Sequence, residues 1–113
     1  MRSKIIALSK NEEFKNLLQQ KKVSNKYASI FFGILRNKNN DKLNISFVAK
    51  RKIGNAVKRN KIKRRLRNII NDATKKISIK FDYSYLVIAK PTMLNSDYTN
   101  IKETLFQSLK KIK

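Results

Sequence analysis

Residues able to do covalent chemistry near neutral pH are scarce in this chain. It contains neither histidine nor cysteine, which removes the side chain that titrates near pH 7 and the usual nucleophile–base pairs. Seven acids remain: Glu12, Glu13, Asp41, Asp72, Asp82, Asp97 and Glu103. None has the spacing of a two-metal nuclease cluster, and Glu12 and Glu13 suit the first turn of a helix. No catalytic residue and no metal ligand is assigned. The chemistry on offer is that of binding. From Lys50 to Arg67, ten of eighteen residues are Lys or Arg, and no acid occurs between Asp41 and Asp72. The formal charge is +21 on 113 residues, a charge that opposes compaction unless a polyanion neutralises it.

A cationic run is often a disordered tail. This one carries Ile62, Leu66, Ile69, Ile70 and Ala73 at helical spacing, with Asn60, Lys61, Arg64, Arg67, Asn68 and Asn71 on the opposite arc. The pattern predicts a helix from about Asn55 to Ile77, capped by Asn55 after a Gly54 turn. Its first turn holds Lys58, Arg59 and Lys61, against a dipole that favours acids there. The placement makes sense if phosphates dock on the free N–H groups and basic side chains.

The other elements follow from pattern. Ser9 to Gln20 reads as a short helix with Ser9 or Asn11 as cap and Phe14, Leu17 and Leu18 on its apolar face. Tyr27 to Asn37 reads as a strand, Asn37 to Lys42 as a turn, and Leu43 to Lys50 as a second strand, the two forming a hairpin. Val23 to Lys26 is a candidate short strand. In the second strand Leu43, Ile45, Phe47 and Ala49 share one face, and Asn44, Ser46, Val48 and Lys50 the other. Tyr83 to Lys90 is a strand stopped by Pro91, and Tyr98, Ile101, Leu105, Leu109 and Ile112 form the stripe of a closing helix. Residues 1–113 are expected to form one α+β domain, a sheet with helices packed on it. No uncharged segment approaches the ~20 residues of a spanning helix, and Ile5 to Leu8 is too brief for a signal peptide. A cytoplasmic location, with no membrane and no obligate protein partner, is the expectation.

The segment Arg51-Lys-Ile-Gly-Asn-Ala-Val-Lys-Arg-Asn-Lys-Ile-Lys-Arg-Arg-Leu-Arg67 resembles the signature of the bacterial ribonuclease P protein subunit. Gly54, Ala56, Val57, Arg59, Asn60, Ile62, Lys63 and Arg64 match it; position 61 is Lys where Arg is usual, which loses a bidentate fork. Lys10 to Phe14 and Phe81 to Pro91 are similar to the family as well. The resemblance implies an αβββαβα sandwich with a mixed sheet and a left-handed β-α-β crossover, against the general right-handed preference. It implies a ribonucleoprotein endoribonuclease in which ribonuclease P RNA is catalytic with Mg²⁺ and the protein alone is not, removing the 5′ leader of precursor tRNA. Carried over, Arg51, Lys52, Gly54, Asn55, Lys58, Arg59, Asn60, Lys61, Lys63, Arg64 and Arg67 are candidates for binding the catalytic RNA. Phe14, Lys15, Tyr27, Ile30 and Phe32 are candidates for a leader cleft between the first helix and the sheet. The segment Gln19 to Lys26 departs from the family in length and lacks its usual Gly. A small ribosomal protein would share the charge and the α+β class, and the G-x-A-V-x-R-N motif together with the predicted cleft separates it from this reading; a nucleoid or other DNA-binding protein is a third class, separable by competition between duplex DNA and structured RNA.

Overall fold

In the computed structural model, residues 5–8, 11–35 and 42–112 are described. The elements are β1 (Ile5–Ile6), α1 (Asn11–Leu18), β2 (Lys21–Ser24), β3 (Ala28–Gly33), β4 (Leu43–Val48), α2 (Ala56–Lys76), β5 (Ser84–Ala89) and α3 (Tyr98–Lys110). Two 3₁₀ turns, Arg51–Ile53 and Pro91–Asn95, lead out of β4 and β5; pattern had not marked either as helical. Pro91 suits the second, since its fixed φ and missing N–H are tolerated in a first helical turn. Beyond the expected αβββαβα order, Ile5–Ile6 adds a short strand. The expected Ser9 cap, and most of the turn from Asn37 to Lys42, lie outside the described residues.

The five strands lie in the order β1-β4-β5-β3-β2. This corrects the expected hairpin: β3 and β4 are not neighbours, because β5 lies between them, antiparallel to β3 and parallel to β4. The physical reason is in β5 itself. Tyr85, Leu86, Val87 and Ala89 are all buried, and a strand apolar on both faces is stable only at the centre with both faces covered. The parallel β4–α2–β5 unit follows.

α2 and α3 cover one face of the sheet. Ile62, Leu66, Ile69, Ile70 and Ala73 of α2 and Ile101, Leu105 and Leu109 of α3 pack there with Ile30, Phe32, Leu43, Ile45, Tyr85 and Val87. α1 covers the other, where Leu17 joins Leu8, Leu35 and Leu86, with Phe14, Phe31, Val48 and Ile88 partly buried beside them. The polar face predicted for β4 is therefore buried too: Ser46 is satisfied by accepting the Leu8 N–H at 2.9 Å. Leu18, the last residue of α1, departs from the expected apolar face and is 47% exposed.

The β2–β3 connection is held firmly. Asn25 Oδ1 accepts the N–H groups of Tyr27 and Ala28 at 2.8 and 2.9 Å, an Asx turn. Asn25 Nδ2 donates to Ser108 Oγ of α3 at 2.9 Å. Lys90 Nζ, just past β5, donates to Ser24 Oγ at 2.9 Å and to the Asn25 carbonyl at 2.6 Å.

Candidate nucleic-acid interface

The interface is built outward from the α2 stripe. Because Ile62, Leu66, Ile69 and Ile70 are at most 2% exposed, the helix cannot rotate without exposing its core face, and the cations are fixed by that constraint. Arg51, Lys52, Asn55, Lys58, Asn60, Lys61, Arg64 and Arg67 are exposed, and Gly54, Arg59 and Lys63 half-buried. The structure thus brings all eleven sequence-derived candidates onto one helix and the turn that feeds it.

The entry to the helix is shaped by Gly54 and Asn55. Gly54 has φ 159° and ψ −166°, a region essentially reserved for glycine, and a Cβ there would approach Lys58 Cβ to 3.3 Å. Asn55 caps the helix, its Oδ1 accepting the Lys58 N–H at 3.0 Å. The first turn holds no acid, so the positive end of the dipole adds to the cations. Among the described residues, Arg59 Nε is buried without a hydrogen-bond partner, an unsatisfied donor within the cationic face. Asp72, the first acid after the cationic segment, is turned away toward α3, where Lys102 Nζ donates to its Oδ2. That hydrogen bond holds the Asp72 carboxyl below its usual range and the Lys102 ammonium above its own. Asp72 therefore spends its charge between helices rather than on the cationic face.

Beside α2 lies a groove of about 530 Å³, lined by Ala7, Phe14, Ile45, Ser46, Phe47, Val48, Lys63 and Arg67. Among the described residues β1 pairs with β4 only at Leu43 and Asn44, and the groove runs along the β4 residues that follow. Phe14 of α1 stands on one wall and Lys63 and Arg67 of α2 on another, so an aromatic ring and two cations converge on one opening. A groove with an apolar wall and a basic rim can take nucleic acid in single-stranded form.

The leader-cleft candidates divide. Phe14 lines the groove and Lys15 is exposed on α1. Tyr27, Ile30 and Phe32 do not line the α1 side: they are 6%, 0% and 6% exposed and belong to the core beneath α2 and α3. The register is displaced by one residue, and on a strand that moves every side chain to the opposite face. The residue of β3 beside α1 is Phe31, with the Lys22 ammonium 5.7 Å from its ring centre, and Val48 and Ile88 continue that surface. Phe31 and Ile88 were not among the leader-cleft candidates carried over from the family, although Phe31 is one of the sheet aromatics that sequence marks as able to stack on an unpaired base. The signal for Val48 was present in the β4 alternation, which put Ser46 and Val48 on the second face. Among the described residues no three acidic side chains come together as metal ligands, and no helix is long and apolar enough to cross a membrane.

The same fold occurs in known proteins. Residues 3–113 match the family described as Ribonuclease P. The ribonuclease P protein component of Carboxydothermus hydrogenoformans is 32% identical over 110 residues, covering 94% of this chain and 90% of that protein. That of Lactiplantibacillus plantarum is 33% identical over 105 residues, covering 91% and 88%. Among solved structures, the RNase P protein from Thermotoga maritima superposes with a TM-score of 0.79 at 26% identity, covering 96% of this chain and 98% of that one. The Staphylococcus aureus RNase P protein gives a TM-score of 0.79 at 25% identity, covering 95% and 94%.

Proposed function

This chain belongs to the ribonuclease P protein family, and from that premise we propose that α2 binds ribonuclease P RNA while the groove between α1 and the sheet receives the 5′ leader of precursor tRNA. Ribonuclease P is an endoribonuclease that works as a ribonucleoprotein, and the chain is of its protein component. In the proposed division of labour residues 1–113 act as a single RNA-binding domain in the cytoplasm. The RNA performs the hydrolysis, with Mg²⁺ activating and stabilising the reacting oxygens. In this reading the ion belongs to the RNA, and no protein residue is proposed to hold it.

The observation that carries the reading is the shared groove. Phe14 of α1 and Lys63 and Arg67 of α2 line one opening, which supports a path along which the leader lies beside the RNA-binding helix. The proposed RNA face comprises Arg51, Lys52, Gly54, Asn55, Lys58, Arg59, Asn60, Lys61, Lys63, Arg64 and Arg67. The leader surface comprises Phe14, Lys15, Phe31, Val48 and Ile88. A domain carrying +21 lowers the repulsion between two RNAs and supplies no catalytic group of its own.

The test is reconstitution with a bacterial ribonuclease P RNA. The protein, free of RNA, should leave precursor tRNA intact. Added to the RNA it should promote cleavage at the mature 5′ end, most strongly at low Mg²⁺ and less as Mg²⁺ rises and screening improves. Cleavage by the protein alone, or failure of the folded protein to stimulate the RNA, would overturn the proposal.

A further inference from the structure

A second cavity, of about 220 Å³, lies at the other end of the sheet and is lined by Gln20, Lys21, Phe32, Gly33, Ile34 and Tyr83. The register fixes its place. Gly33 pairs with Ser84, and Lys21 with Phe32, at the end where β5 begins. A six-residue strand, roughly 17 Å, separates it from the end where β4 leads into α2.

Its walls are chemically mixed in a particular way. Tyr83 packs 5.4 Å from Phe32 and edge-on to Tyr85 at 6.3 Å, so its ring is braced. The Lys80 ammonium stands 5.8 Å from the Tyr83 ring centre. Ile34 is 67% exposed, an apolar side chain left open in the same pocket as Lys21. The Gln20 carboxamide lies directly on Gly33, where a Cβ would fall 1.9 Å from its Oε1, and its Nε2 donates to Asn16 Oδ1. An aromatic and aliphatic surface for a base, an amide for its edge and ammonium groups for a phosphate are the elements by which single strands are held. An apolar protein partner is disfavoured by the cationic rim of a chain at +21.

The pocket also adjoins the leader surface. β2 is an edge strand; the ammonium of Lys22 stands over Phe31 on the α1 side, and the preceding residue, Lys21, lines the pocket. A strand leaving the Phe14–Phe31 surface away from α2 meets Lys22, rounds the sheet edge and reaches Tyr83. We infer that this pocket is a distal leader subsite, which takes an unpaired leader nucleotide farther from the cleavage point than those beside Phe31. The inference rests on the leader reading given under Proposed function.

The experiment measures binding of precursor tRNA to the assembled ribonucleoprotein, with leaders of about four and about twelve nucleotides and with mature tRNA. Ile34→Asp and Lys21→Glu alter exposed side chains and leave the core intact. Each should weaken the long-leader substrate about fivefold or more and leave the short-leader substrate and mature tRNA unchanged. Phe31→Ala serves as the marker of the leader surface and should weaken both leader-bearing substrates. If Ile34→Asp and Lys21→Glu leave long-leader binding unchanged while Phe31→Ala acts, the subsite is refuted and the leader surface stands. Equal loss for all three ligands would assign the pocket to ribonuclease P RNA and overturn the inference. If Phe31→Ala affects leader-bearing and mature tRNA alike, the leader surface itself fails.

Discussion

Leu66 and Arg67 are adjacent in sequence and should fail in opposite ways. Leu66 is 0% exposed, packed between the sheet and α3, whereas Arg67 is exposed and lines the α1–α2 groove. Leu66→Ala removes three carbons, about 2.4 kcal/mol at about 0.8 per buried carbon. The cavity left behind raises the cost toward about 3–5 kcal/mol, a large share of the stability of a domain this size. Arg67→Ala removes no core contact and should cost within about 0.5 kcal/mol. Its effect belongs to RNA binding, where loss of one phosphate contact lowers the log–log salt slope by about 0.7–0.9. Between about 50 and 200 mM salt, a fourfold change, the variant's affinity should therefore fall about threefold less than the wild type's. Urea unfolding of both variants, and filter binding of ribonuclease P RNA across that salt range, measure the two quantities. An Arg67→Ala protein that unfolds readily while Leu66→Ala does not would refute the assignment of faces. An unchanged salt slope would show that Arg67 meets no phosphate.

Two further outcomes follow from named contacts. Asn55→Ala deletes the cap that accepts the Lys58 N–H and should cost about 1 kcal/mol in thermal or urea unfolding, while Asn55→Asp should keep the cap and weaken RNA binding by placing an acid among cations. Asp72 has its folded pKa lowered by Lys102, so its contribution to stability is full above its unfolded value and lost as pH falls through the folded one. Asp72→Asn should therefore be less stable than wild type at neutral pH, with the two stability curves converging in acid; a difference that persists at low pH would show that the ion pair is not its source.

The sequence by itself determined α2, its cap and its two faces. Gly54, Asn55 and the Ile62–Ala73 stripe are local signals, since helix hydrogen bonds and side-chain periodicity lie within a few residues of each other. The polar arc of Asn60, Lys61, Arg64 and Arg67 was legible for the same reason, as the complement of the apolar stripe; the full set of RNA-face candidates came from the family resemblance. The motif from Arg51 to Arg67 carried the family. What only the tertiary structure decided was the sheet. Strand pairing depends on residues distant in sequence, and nothing local to Tyr27–Lys50 reveals that Ser84–Ala89 will come between the two strands. The same distance hid the leader surface. Alternation in β3 separates Ile30 and Phe32 from Phe31, yet both sets are apolar, and only the positions of α1 on one side and α2 and α3 on the other decide which is core. The distal pocket is further from local reach, because Gln20, Gly33 and Tyr83 meet only after three strands are aligned.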